Sequence, residues 1–361
     1  MSPRITLRDI ATRAGVHYST VSLALRNSPK LGLELRTRIR AIAEQLGYVP
    51  DPAMSALSAY RNATRPVHYQ STLAWVNNWP VQMEMRTVKT FELYYLGAVE
   101  RARQLGFRID ELWLHASGMT PASAHRILKT RNITGLLIAP QPLAHTPLHL
   151  NLADFSSLAF GYSLQPSNLH VVTNHQYQSV QLLLHELLTL GYRRIGLFIR
   201  ADWNEKVNNA YLGGLLLSQH HQPPENRIPP LLPQHGFEHE FVSWFKKHRP
   251  DVVIAIGREV RTWIEKGLGL RIPEDVGLVH PNIDSEEHWM AGIYQNDRLI
   301  GATAVDFLAG MLQRNERGIP NTPIRTLVEG VWKTGGSVRN MSVSAAPSSQ
   351  RRALPRKRRS S

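Results

Sequence analysis

TLRDIATRAGVHYSTVSLAL, residues 6–25, is the stretch on which the reading of this chain turns. Leu7, Ile10, Ala11 and Ala14 recur at helical spacing and share one face. Thr6 stands ahead of them as an N-cap, and Asp9 answers it three residues later in a capping box. Gly15 then stops the helix, because glycine enters the left-handed conformation at a helix end without steric cost. A second short helix is expected over about Tyr18–Leu25, with Val21, Ala24 and Leu25 turned inward. Helix, glycine-containing turn and short second helix make the helix-turn-helix arrangement. A small helical bundle of another kind is the alternative.

Outward from this stretch, a third helix is expected from about Leu33 to Leu46. Leu35, Ile39, Ile42, Ala43 and Leu46 lie at helical spacing, and Gly47 is the stop. Pro50 and Pro52 break the pattern, and Asp51 with Pro52 suits the N-cap and N1 of a further short helix. Residues 62–69 read as a linker. From residue 71 short apolar runs alternate with helical stretches. The strands expected are Leu73–Val76, Ile109–Leu114, Gly135–Ala139, Leu158–Phe160, Ile195–Ile199, Val252–Ile256 and Val276–Val279. The helices are Phe91–Leu105, Ala122–Thr130, Gln178–Leu190, Ala210–Gln219 and Phe237–His248, with a late one at Ile300–Arg314 before a final strand, Thr326–Trp332. Such alternation implies a parallel sheet with helices on both faces, and the span is long enough for two lobes. Residues 341–361, rich in Ser, Pro and Arg, are expected to be disordered.

Charge supports a polyanion partner. Most of the formal net charge of +14 sits at the two ends: residues 1–61 carry nine Lys/Arg against four Asp/Glu, and residues 342–361 carry six Lys/Arg and no acid. The long middle is therefore close to neutral. The chain has no cysteine, which excludes disulfides, thiolate metal sites and cysteine nucleophiles. No apolar run approaches the roughly 18 residues of a membrane span, and no secretory signal is visible, so a cytoplasmic protein without a membrane partner is expected.

The residues now on the page resemble a known family. Thr6-Leu7-Arg8-Asp9-Ile10-Ala11, Ala14-Gly15-Val16 and Tyr18-Ser19-Thr20-Val21-Ser22 are similar to the DNA-binding signature of the LacI/GalR repressors. Leu46-Gly47-Tyr48-Val49-Pro50-Asp51-Pro52 resembles the approach to that family's hinge helix. Leu190–Ile195, Ile272–Gly277, Gln295 and Ile300–Val305 resemble segments of its sensor domain. The resemblance implies a helix-turn-helix DNA-binding domain (1–50), a hinge helix and linker (51–70), a two-lobed α/β sensor domain like a periplasmic sugar-binding protein (71–340) and a basic tail (341–361). It also implies a homodimeric transcription regulator, a repressor. Such a protein binds a pseudo-palindromic operator in double-stranded DNA, under the control of a sugar or sugar derivative bound between the lobes.

A recognition helix presents its first turn to base edges in the major groove. Here that turn is Tyr18, Ser19 and Thr20, followed by Ser22 and Leu23. Tyr18 and Ser19 suit base edges, while the hydroxyls of Thr20 and Ser22 suit phosphate contacts; ordinary helix surface is the alternative. Arg26 and Lys30 add charge nearby, as do Arg36 and Arg38. By resemblance Thr6, Leu7, His17 and Tyr48 join the DNA-binding set. Leu23 stands where many relatives carry Arg. It offers only apolar contact, so the half-site should differ from theirs. Gly32 stands where many carry a Ser cap. The family inserts a hinge leucine as a wedge in the minor groove, and the resemblance makes this Leu57; packing against the sensor domain is the alternative.

Ligands of parallel sheets sit outside the carboxyl ends of strands. That rule selects Asn77, Asn78 and Trp79 after the first strand, Gln141 after the third, and Asn282 and Asp284 after the strand at 276–279. Amides and carboxylates pair with sugar hydroxyls, and Trp stacks on a sugar face. The resemblance adds Tyr211 and Gln295. Tyr211 replaces a frequent Arg, Gly257-Arg258 replaces Asn-Asp and Asn282 replaces an Asp, so the effector is either unusual or absent.

Enzyme chemistry finds no footing. His235 and His239 are four apart but do not form an H-E-x-x-H motif; Gly267-Leu268-Gly269 lacks the third glycine of a dinucleotide fingerprint, and Gly161-Tyr162-Ser163 lacks the second glycine of a nucleophile elbow. No catalytic residue, metal site or cofactor is therefore expected. A plain binding protein with a helical appendage is the remaining rival.

Overall fold

The computed structural model describes residues 5–25, 31–48, 71–235 and 237–341. It opens with α1 (Leu7–Ala14), α2 (Tyr18–Leu25) and α3 (Leu33–Gln45). Next come β1 (Ser71–Asn77), α4 (Glu84–Thr87), α5 (Lys89–Gln104), β2 (Phe107–Trp113), α6 (Pro121–Thr130), β3 (Gly135–Ile138), β4 (Thr146–Pro147), β5 (Ser156–Phe160), β6 (Leu164–Gln165) and β7 (His170–Asn174). The chain continues through α7 (Gln176–Thr189), β8 (Ile195–Phe198), α8 (Ala201–Lys206), α9 (Ala210–His220), α10 (Phe237–His248), β9 (Val252–Ala255) and α11 (Glu259–Thr262). It ends with β10 (Gly277–Ile283), β11 (Ala291–Tyr294), α12 (Asp297–Arg314), β12 (Arg325–Val328) and β13 (Val331–Lys333).

The three N-terminal helices share a core of Ile10, Ala11, Ala14, Val21, Ala24, Ile39 and Ala43, all buried. The remaining structure falls into two α/β units, each discontinuous in sequence. One comprises the chain up to Gln176 together with Ala201–Ala210 and Tyr294–Val331; the other holds Tyr177–Arg200, Tyr211–Ile293 and the chain from Trp332.

In the first unit the strands form one parallel sheet in the order β12-β7-β5-β3-β1-β2. Strand periodicity decides its two cores. Leu73 and Trp75 of β1 join Tyr94, Phe160 and Leu308 on one face, while Ala74 and Val76 join Leu128, Leu136 and Phe155 on the other. A strand covered on both faces reads as an unbroken apolar run, which is how LAWV looks in the sequence. On the first face α5 and α12 meet backbone to backbone. A Cβ placed on Gly97 would lie 2.0 Å from the Arg298 carbonyl oxygen, and one on Gly301 would lie 2.0 Å from that of Tyr94.

The second unit has the strand order β13-β11-β10-β9-β8, with β8, β9 and β10 parallel. Phe198, Phe241, Trp244, Val253, Trp263 and Ile264 fill its core. The expected fold class is therefore found: a helix-turn-helix domain and a two-part α/β body. Among the described residues no helix is long and apolar enough to cross a membrane.

The single final strand expected at Thr326–Trp332 is two strands. β12 pairs with β7 in the first sheet and β13 lies beside β11 in the second, with Glu329 and Gly330 between them. An apolar run does not record which edge each half will join. β7, β11 and α8 were not expected either. All five residues of β7 are buried, but His170, Thr173 and Asn174 are polar, so no apolar run marks the strand.

Candidate functional site

The helix-turn-helix is built from its caps. Thr6 is extended, and Oδ2 of Asp9 accepts hydrogen bonds from its N–H and its hydroxyl, both at 2.7 Å. The Thr6 hydroxyl, and then the Thr6 N–H, hold the Asp9 carboxyl below the usual carboxylate range. A carboxyl whose pKa is lowered on folding stabilises the fold fully above the unfolded value, and this support fades as pH falls through the lowered one. An NMR titration should therefore place the Asp9 midpoint below about 3.9. In Thr6→Ala the midpoint should move back toward that value; equal midpoints in the two proteins would remove the capping box from the account.

Gly15 takes φ +67° and ψ +36°, the left-handed turn that carries the chain from α1 into α2, and the Val16 N–H reaches the Ala11 carbonyl at 3.1 Å. His17 caps α2. Its carbonyl accepts the Thr20 N–H at 2.9 Å, and its Nδ1 lies 2.7 Å from the Ser19 hydroxyl. The Arg38 guanidinium donates to the Ala14 carbonyl at 2.9 Å, so α3 satisfies one of the open carbonyls at the end of α1.

With Val21 and Ala24 inward, the start of α2 is left in solvent. His17, Tyr18 and Ser19 are exposed, Tyr18 by 50%, while Thr20, Ser22 and Leu23 are half-buried. Thr6 is exposed; Leu7 and Tyr48 pack on the rim of the helical core. Arg26, Lys30 and Leu57 lie outside the described residues.

In the first unit Asn77, Asn78, Trp79 and Gln141 follow the carboxyl ends of β1 and β3 and are buried. Their polar groups bind one another and the nearby loops. Asn78 Nδ2 donates to Gln141 Oε1 at 2.8 Å and to the Pro147 carbonyl at 3.0 Å, and His115 Nε2 lies 3.1 Å from Asn78 Oδ1. Asn77 Nδ2 donates to Glu111 at 2.8 Å, and its Oδ1 accepts the Trp79 N–H at 2.9 Å. The Gln141 N–H donates to the Ser163 hydroxyl at 2.9 Å, and Trp79 Nε1 donates to the Pro140 carbonyl at 2.8 Å. These amides shape the loops at the strand ends. Gln295 is fully buried in the same unit.

In the second unit Tyr211 is buried on α9. Asn282 is half-buried near the end of β10, where its N–H donates to His280 Nδ1 at 3.0 Å. Burial pushes the His280 pKa down to about 4, so the ring is neutral at pH 7 and accepts that bond. Asp284 faces the Arg258 guanidinium at 3.5 Å.

Sequence reading missed Lys206. Its ammonium donates to the Pro142 carbonyl at 3.0 Å and lies 5.7 Å from the Trp79 ring centre, 5.2 Å from that of Phe91 and 5.4 Å from that of Trp203. The available signal was Trp203 and Lys206 three apart just after β8, one helical turn that brings both to one face.

Comparison with known proteins agrees with this geometry. The family described as "Bacterial regulatory proteins, lacI family" matches residues 6–51. The Lactose operon repressor of Escherichia coli (strain K12) is 22% identical over 323 residues, covering 86% of this chain and 85% of that protein. The HTH-type transcriptional regulator GntR of the same organism is 44% identical over 61 residues, 17% of this chain and 18% of that one. Among solved structures, "transcriptional regulator CelR-cellobiose complex" is similar with a TM-score of 0.53 at 18% identity, covering 92% of this chain and all (100%) of that one. A lac repressor dimer bound to operator and the anti-inducer ONPF has a TM-score of 0.51 at 17% identity, covering 93% of this chain and 100% of that one. At such identities the structures establish the shared fold, and the family match is local: residues 6–51 are a helix-turn-helix domain of the lacI family of bacterial regulatory proteins, and the chain as a whole is similar to DNA-binding transcription regulators that carry it.

Proposed function

We propose that the protein is a homodimeric repressor of a pseudo-palindromic operator, released or recruited by a carbohydrate-type effector. The helix-turn-helix of residues 1–50 reads DNA, residues 51–70 form the hinge with Leu57 as its wedge, and residues 71–340 sense the effector. The observation that carries this reading is the solvent-exposed first turn of α2, His17 to Ser19, on a closed helical core. Relatives support the rest: the lac repressor has been solved as a dimer on its operator, and CelR with cellobiose. The effector is assigned to the carboxyl ends of parallel strands, beginning with those of β1 and β3 in the first unit.

The residue that sets half-site preference is Leu23. An arginine there offers two donors to guanine O6 and N7, worth about 1–3 kcal/mol per contact. Leu23→Arg should therefore shift the sites recovered from a random duplex library toward a guanine in each half. An unchanged consensus would take Leu23 off the base-reading face.

A further inference from the structure

We propose that one edge of the second unit, gathered around Arg194, binds the phosphate backbone of a second DNA duplex, in addition to the one faced by α2. The inference goes beyond operator reading and needs no effector.

The edge lies at the amino ends of β8 and β9. Arg194 stands just ahead of β8, and its guanidinium donates to the carbonyl oxygens of Glu225, His248 and Arg249. It thereby draws together the turn after α9 and the end of α10. Asp251 holds the same join, because its Oδ2 accepts the N–H of Arg193 at 2.7 Å and that of Arg194 at 3.0 Å. Residues 193–194, 220–227 and 246–251 thus form one surface, with six Lys/Arg against two acids, Glu225 and Asp251. Arg193, Arg227, Lys246, Lys247 and Arg249 are exposed.

The fold does not neutralise these cations. Arg193 donates to the Leu188 and Tyr192 carbonyls, both at 2.9 Å, and Arg227 to those of Gln222 at 2.8 Å and His220 at 3.1 Å. Among the described residues none of the six is ion-paired, whereas Arg261 and Arg271 of the same unit are paired with Glu265 and Asp275. Burial, and then the charges of Lys247 and Arg194, hold the His248 pKa below its ordinary value. Small counterions offset such a solvated face, and a DNA backbone releases them with a gain in entropy.

The chemistry favours a duplex over unpaired nucleic acid. Trp244 and Phe245 would offer stacking surface, but both are buried in the core, and among the described residues of this edge no Phe, Tyr or Trp is exposed. What remains is a set of exposed cations, which contact phosphates and read no sequence. The described chain also ends at this edge. The Met341 N–H donates to the Leu190 carbonyl at 2.8 Å, and residues 342–361 carry six further Lys/Arg and no acid.

The test is bridging. A random-sequence duplex is fixed to beads, the full chain is added, and capture of a second, labelled duplex is measured across a range of salt. The full chain should capture it. Lys246→Gln, Lys247→Gln and Arg249→Gln together should cut capture at least about fivefold and make its log–log salt dependence shallower by roughly 2–3, since each lost phosphate contact removes about 0.9. Lys89→Gln, Arg103→Gln and Lys129→Gln remove the same charge from exposed positions of the first unit and should leave capture unchanged. If the edge variant does not fold, Lys246→Gln with Lys247→Gln replaces it with the same readouts. No bridging by the full chain, undiminished capture by the edge variant, or an equal fall in the first-unit variant overturns the inference. A lower melting temperature of the edge variant with unchanged capture also overturns it, and leaves the lysines as complements of the α10 dipole. Displacement of the labelled duplex by single-stranded RNA more effectively than by unlabelled duplex would give the edge to RNA instead.

Discussion

Replacing Tyr18 and Ser19 together by alanine should weaken operator binding by roughly 10²–10⁴-fold and leave binding to random duplex within a few-fold. Each side chain that reads a base edge contributes about 1–3 kcal/mol of discrimination, and the two lie side by side on one exposed turn. The fold should tolerate both changes. Neither side chain belongs to the helical core, alanine is the best helix former, and the Ser19 N–H that faces His17 Nδ1 at 3.4 Å remains. Binding to random DNA rests on charge, and the charges of the N-terminal domain are untouched. Anisotropy titrations with an operator duplex and a scrambled one separate the two effects. A parallel fall on both duplexes would make the turn a backbone contact, and no change on either would place base reading elsewhere.

The second large effect concerns the fold of the first unit. Gly301→Val should lower its melting temperature markedly or leave the protein insoluble. Overpacking a core ordinarily costs about 1–3 kcal/mol, when flexible side chains can move aside. Here the Cβ would meet the Tyr94 carbonyl at 2.0 Å, and Gly97 makes the reciprocal contact with Arg298, so α5 and α12 must separate along their length. The cost should stand at the top of that range or above it. Gly213→Ala is the control: nothing lies within 4 Å of a Cβ there, and the helix should gain up to about 1 kcal/mol. Thermal scans of the two variants that shift alike would mean the glycine crossing does not hold the helices together.

The three N-terminal helices were legible to within a residue at each end, because caps, turn and apolar face all lie within about 40 consecutive positions. Thr6, Asp9 and Gly15 do in the structure what their local chemistry demands. The parallel sheets were legible as short apolar runs, since burial on both faces leaves no polar alternation to blur them. What could not be read was pairing at a distance. β12 and β13 look like one strand because nothing local distinguishes their sheets. The same limit applies at the strand ends. Asn77, Asn78 and Gln141 were placed by rule at the carboxyl ends of their strands, yet only the fold shows that Asn78 and Gln141 bind each other and that Asn77 binds Glu111 and the Trp79 N–H. Lys206 was overlooked because its aromatic partners Trp79 and Phe91 lie more than a hundred residues away.

Sequence-specific recognition through the turn at His17–Thr20 is the central claim. It is tested most directly by selecting duplexes from a random library with the full chain, then measuring affinity for the recovered site against random DNA at physiological salt. The account predicts an inverted-repeat consensus bound at least about 10³-fold more tightly than random duplex, with affinity falling steeply as salt rises. Recovery of no common sequence, with equal affinity for selected and random DNA, would contradict it.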